Sequence, residues 1–97
     1  MPFEIILAPE AVEDLRGLKA NLRAEVRTAI EHYLRHEPRK VSRSRIKRLR
    51  GVSRPHFRLR VGEARVFYDV SGQTVEVLAI IAKSEAESWL AQFGSQE

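Results

Sequence analysis

The strongest constraint on the fold lies in residues 56–61, 64–70 and 74–82. These runs alternate or are β-branched, and the turn signals Gly62-Glu63 and Ser71-Gly72 part them. Two such hairpins make a three-stranded meander with faces that need cover. The N-terminal half can supply it. Phe3-Glu4-Ile5-Ile6-Leu7, bounded by Pro2 and Pro9, predicts a short strand. Pro9 suits the first turn of a helix whose dipole Glu10, Glu13 and Asp14 complement, with Val12, Leu15 and Leu18 as its apolar stripe. Helical spacing resumes at Leu22, Val26, Ile30, Tyr33 and Leu34, with Asn21 as the expected N-cap and Pro38 as the stop. At the other end Ser84-Glu85-Ala86-Glu87 matches a capping box, with Ser84 as cap, and opens a helix carrying Ala86, Trp89, Leu90 and Phe93. The expectation is an α+β domain of order β-α-α-β-β-β-α: a small antiparallel-rich sheet with an N-terminal helical hairpin packed on one face. At 97 residues there is one core and no room for a second, so residues 1–97 form a single domain.

Charge is distributed very unevenly along this frame. Residues 1–38 have net charge −2 and residues 66–97 have −4, whereas residues 39–65 carry 11 basic residues against the single acid Glu63. So much like charge inside a folded domain points to a polyanionic partner such as nucleic acid. Residues 40–50 read as a loop or frayed helix bearing phosphate contacts. With no cysteine there is no disulfide framework, thiolate nucleophile or thiolate zinc site. Met1-Pro2-Phe3-Glu4 lacks the basic and apolar regions of a secretory signal, and no apolar run is long enough to span a membrane. The chain reads as cytoplasmic.

Register sorts the side chains of the first hairpin. If Gly62-Glu63 is a two-residue type II′ turn, Phe57 opposes Tyr68, Leu59 opposes Val66 and Val61 opposes Ala64 on an apolar face. The other face receives Arg60 opposite Arg65, Arg58 opposite Phe67 and His56 opposite Asp69. Like charges directly opposed weaken a sheet, so three arginines there require an anion rather than a packing role. Continued through Ser71-Gly72, the same alternation sends Val75, Val77, Ala79 and Ile81 to the apolar face. Leu78 and Ile80 then floor a shallow basic trough.

The element order, Arg48-Leu49-Arg50-Gly51 ahead of the first hairpin, and Phe57-Arg58-Leu59-Arg60 followed by Ala64-Arg65-Val66-Phe67-Tyr68-Asp69-Val70 together resemble the RelE/ParE superfamily of toxins of type II toxin-antitoxin systems, in its RelE-like branch. The resemblance covers Phe3 to Trp89. It implies a ribosome-dependent endoribonuclease that cuts messenger RNA, needs no metal or other cofactor, and is neutralised by a cognate antitoxin. Arg58 and Arg60 fall where RelE-like proteins place two basic strand residues, Arg65 on the arginine of the next strand, and Lys83 on a basic residue ending the last strand. Two positions depart from the pattern: Ser84 stands where a catalytic arginine is common, and Leu90 where a tyrosine is expected.

RNA can be cut by its own 2′-hydroxyl, so a protein need supply only a base, an acid and cations around the phosphate. Arg58, Arg60 and Arg65 fit the cations, and His56, oriented by Asp69, fits proton transfer. Lys47, Arg48, Arg50, Arg54 and Lys83 are the candidate RNA contacts, and Trp89, Leu90 and Phe93 the candidate antitoxin contacts. His32 and His36 have a metal-chelating spacing but no third ligand, which leaves them as exposed helix residues. Two alternatives stay open: a non-enzymatic ParE-like inhibitor of DNA gyrase, and a relative that binds RNA without cutting it.

Overall fold

A computed structural model describes residues 2–96. Strand β1 (Glu4–Leu7) leads into α1 (Pro9–Arg16), with Ala8 as N-cap and Pro9 in the first turn. Helix α2 (Ala20–Ala29) continues into a wider turn, Ile30–Leu34. Its N-cap is Lys19, not Asn21, and no side chain caps it. Strands β2 (Ile46–Arg48), β3 (Val52–Arg54), β4 (Phe57–Val61), β5 (Ala64–Ser71) and β6 (Thr74–Ala82) follow, then a 3-10 turn, helix α3 (Ala86–Phe93) and β7 (Ser95–Gln96). Five strands form one sheet in the order β1-β6-β5-β4-β2, with β1 parallel to β6 and the other pairs antiparallel. β3 and β7 form a small separate ribbon. Among the described residues no helix is long and apolar enough to cross a membrane.

The helical hairpin covers one face of the sheet as expected. Ala11, Leu15, Val26, Ile30 and Leu34 meet Leu59, Val66, Tyr68, Val75 and Val77 in the main core. Tyr68 is fully buried there, and its hydroxyl donates a 2.7 Å hydrogen bond to the Pro38 carbonyl. Burial pushes this phenol above the usual tyrosine range. Tyr68→Phe should therefore cost about 1–2 kcal/mol, because the carbonyl loses its buried donor. The pH dependence has a defined sign. The unfolded phenol ionises near about pH 10 while the folded one does not, so wild-type stability falls as pH rises past that value. The phenylalanine variant should lose part of that fall. Urea unfolding at neutral and alkaline pH measures both effects.

The first hairpin has the expected register. Gly62 takes φ 54° while Glu63 keeps a negative φ, the sign pattern of a type II′ turn, and the Phe57–Tyr68, Arg58–Phe67, Leu59–Val66, Arg60–Arg65 and Val61–Ala64 pairs all form. In the second hairpin Gly72-Gln73, not Ser71-Gly72, makes the two-residue turn, since Ser71 opposes Thr74. Val75 and Val77 face the main core as expected. The register then shifts at Leu78, which leaves Tyr68 opposite Val77 and Phe67 opposite Ala79. This bulge reverses the expected sides of the three residues after it. Ile80 turns into the main core opposite Val66, while Ala79 and Ile81 join the arginine face opposite Phe67 and Arg65.

Residues 46–48 also depart from expectation. They are a strand, not loop or frayed helix, with Ile46 opposite Leu59, Lys47 opposite Arg58 and Arg48 opposite Phe57. The buried Ile46 anchors this short charged edge to the core. α3 packs on the arginine face, where Trp89 stacks on Phe67 at 4.8 Å between ring centroids and 14° between planes.

Candidate nucleic-acid interface

A trough of about 550 Å³ lies between β2, β4, β5 and the start of α3. Its cations are Arg58, Arg65, Lys47, Arg50 and Lys83, and its apolar floor is Phe67, Leu49 and Leu90. The expected floor of Leu78 and Ile80 is displaced by the bulge. Leu78 lines a different cavity under Trp89 and Phe93, and Ile80 is in the core.

Each cation is set by its strand. Arg58 is the second residue of β4, flanked by Lys47 on β2 and Phe67 on β5. Burial pushes its guanidinium pKa down, and the neighbouring charges of Arg65 and Arg60 push it further in the same direction. Its Nε is buried with no hydrogen-bond partner. A half-buried cation repelled by like charges, with a donor left over, is a ready receptor for an oxyanion. Arg65 is buried, and its Nη1 donates to the carbonyls of Gly62 at 2.8 Å and Ala64 at 2.9 Å. The same causes act on it: burial first and then Arg60 lower its pKa, with Glu63 opposing. Arg65 is thus held rigidly by its own turn. Lys83 is brought alongside because its main-chain N–H bonds the Glu63 carbonyl at 2.8 Å.

Other sequence-predicted residues lie elsewhere. Arg60 shares the face with Arg58 and Arg65, but it is exposed and borders a neighbouring depression with Glu25, Ser44 and Arg45. Arg48 points away from Lys47 by strand alternation, and its guanidinium lies 5.2 Å from the centroid of the Phe57 ring, on the opposite side of the sheet from the trough. Arg54 is engaged with carboxylates, at 2.5 Å from Asp69 and 3.3 Å from Glu76. The hydrogen bond to Asp69 is the main reason its pKa is raised. His56 lies outside the trough lining, in a depression with Arg54, Asp69 and Glu76. Its main-chain N–H donates to Asp69 at 2.8 Å, and its Nδ1 accepts from the Val70 N–H at 3.2 Å. An Nδ1 that accepts from Val70 cannot donate to Asp69, so the expected orienting bond is absent and the ring secures the strand end.

At α3, Trp89 is part of a second small core with Phe67, Leu90 lines the trough, and Phe93 is 61% exposed. Ser84 does not cap α3. A 3-10 turn, Lys83–Glu85, intervenes, so the N-cap is Glu85 and no side chain bonds there. Ser84 and Glu87 line the trough instead. Sequence reasoning missed Glu87 as a site residue because the capping box had already given it a structural role.

The fold has counterparts among known proteins. The family model for the ParE toxin of type II toxin-antitoxin systems, parDE, matches residues 5–87. No curated protein matches the chain. Among solved structures it is similar to the RelB-RelE antitoxin-toxin complex of Methanococcus jannaschii, at 20% identity over 87% of this chain and 96% of that one, with a TM-score of 0.66. A RelBE toxin-antitoxin complex from Mycobacterium tuberculosis matches at 26% identity over 84% and 99%, with a TM-score of 0.66. A mutant of Escherichia coli toxin RelE in the free state matches at 21% identity over 94% and 93%, with a TM-score of 0.69.

Proposed function

Because the chain belongs to the family of ParE toxins of type II toxin-antitoxin systems, we propose that it acts in the RelE manner, as an endoribonuclease that needs no metal, cuts messenger RNA on the ribosome and is neutralised by an antitoxin. The observation that carries this reading is the trough itself. Arg58 and Arg65 are drawn together on an apolar floor, and Arg58 keeps a buried donor with no acceptor in the free protein. Such an array suits the extra negative charge that gathers on a phosphate as a 2′-oxygen attacks it. Arg58 and Arg65 would receive that charge. Lys47 and Arg50 would hold the flanking phosphates, which fix the strand without reading its bases, while Lys83 would stand beside the scissile phosphate.

The antitoxin is read as an acidic, amphipathic segment that neutralises the trough and engages the end of α3, where Phe93 offers exposed apolar surface. A non-enzymatic inhibitor of DNA gyrase is the second reading. It is favoured by Ser84 and Leu90 in the trough wall, where the RelE pattern has an arginine and a tyrosine. Expressing the protein in cells while following translation and plasmid supercoiling separates the two. Ribonuclease action arrests protein synthesis and leaves supercoiling intact. Relaxed plasmid with continuing synthesis would establish the gyrase reading instead.

A further inference from the structure

Cutting RNA with its own 2′-hydroxyl requires an acceptor for the hydroxyl proton, and the expected histidine does not line the trough. Lys47, Arg50, Arg58, Arg65 and Lys83 are donors only. Glu87 is the one carboxylate among the described residues that line the trough. It lies at the second position of α3, its capping box is not formed, and no hydrogen bond or ion pair fixes its side chain among the described residues. Leu90, one turn further on, lines the same wall, so this face of α3 is turned toward the arginines.

We infer that Glu87 is the general base of the cleavage, taking the place of the side chains that the RelE pattern puts near Ser84 and Leu90; this rests on the ribonuclease reading above. A carboxylate oxygen can accept a proton, which none of the trough's cations can do. The 2′-hydroxyl gives its proton to a Glu87 oxygen, and the 2′-oxygen forms a bond to phosphorus. The bond from phosphorus to the 5′-oxygen breaks, and that oxygen takes a proton from the Lys83 ammonium. The products are a 2′,3′-cyclic phosphate and a 5′-hydroxyl. Proton exchange with water then restores Glu87 and Lys83. Arg58 and Arg65 hold the phosphate oxygens throughout.

The test uses purified protein and ribosomes carrying end-labelled messenger RNA, with cleavage rate and co-sedimentation with ribosomes both measured. Glu87→Gln should cut at least ~100-fold more slowly at neutral pH while sedimenting with ribosomes at least as well as wild type. Glu87→Asp, which keeps the carboxylate, should recover most of that loss. The glutamate is exposed, so all three proteins should melt alike. If Glu87→Gln cuts as fast as wild type or faster, Glu87 is only a counterion to the arginines and the inference falls while the ribonuclease reading stands. If wild type leaves the messenger whole, the ribonuclease reading fails and takes this inference with it.

Discussion

Arg58→Ala should abolish growth arrest in cells and slow messenger cleavage by ~10²–10³-fold, while the protein melts at the same temperature as wild type or higher. Both halves of this result have one cause. In the free protein Arg58 is partly stripped of water, repelled by Arg65 and Arg60, and left with a buried donor that has no acceptor. Each of these opposes folding, so alanine relieves the fold. The same three features make the residue worth most when a phosphate arrives. Arg58→Lys should fall between the two, since an ammonium keeps the charge but loses the planar fork that grips two oxygens at once. Arg65 will behave differently. Its guanidinium supports the Gly62-Glu63 turn through two carbonyls, so its removal mixes lost function with a loosened hairpin. Matched thermal melts and growth curves separate these contributions. A fully toxic Arg58→Ala protein would remove Arg58 from the site.

Phe67→Ala should have the largest effect on stability. Phe67 is fully buried in the row Arg58–Phe67–Ala79 across the sheet, and Trp89 stacks on it. Emptying such a position costs about 3–5 kcal/mol. That is a large part of the roughly 5–15 kcal/mol holding a domain together. The loss is local as well as global, because Phe67 is the platform on which α3 rests. Trp89 is the only tryptophan in the chain, so its emission reports directly on whether α3 stays docked. Phe67→Ala should shift that emission to the red and move the urea midpoint sharply down. Phe67→Leu should give a smaller change, within about 1.5 kcal/mol. An unchanged emission in Phe67→Ala would mean that something other than this stack holds α3.

How far the sequence carries depends on where its pattern has two distinguishable faces. In β4 and β5 the arginines alternate with large apolar residues, and Gly62 fixes the turn. The register and the arginine face were therefore legible together. From Val77 to Ala82 every residue is apolar, because the hairpin helices cover one side of β6 and α3 the other. No polar side chain marked a face there, and the bulge at Leu78 left no trace in the composition. β2 escaped notice for a different reason. It has three residues, two of them charged, and only Ile46 buries itself, as befits a blunted sheet edge. Without that strand, Lys47 and Arg48 could not be assigned to opposite faces. Arg54 was misplaced because its carboxylate partners Asp69 and Glu76 are distant in sequence, whereas Asp69 was foreseen beside His56 but holds its main-chain N–H and not its ring. Asp69, itself buried, holds both the Arg54 guanidinium and the His56 main chain. At α3 a local motif misled: Ser84 and Glu87 have the spacing of a capping box, but the 3-10 turn at Lys83–Glu85 shifts the helix start and leaves both in the trough wall.

The claim that the trough receives RNA is tested most directly by titrating the isotope-labelled protein with a short single-stranded RNA whose 2′-hydroxyls are methylated, so that it binds but cannot be cut. NMR shifts of backbone amides and arginine side chains should cluster at Lys47, Arg50, Arg58, Arg65 and Lys83, weaken steeply as salt rises, and vanish at these positions in Arg58→Ala. Shifts confined to the helical hairpin, or to the cavity beneath Trp89 and Phe93, with Arg58 and Arg65 unmoved at saturating RNA, would contradict the account.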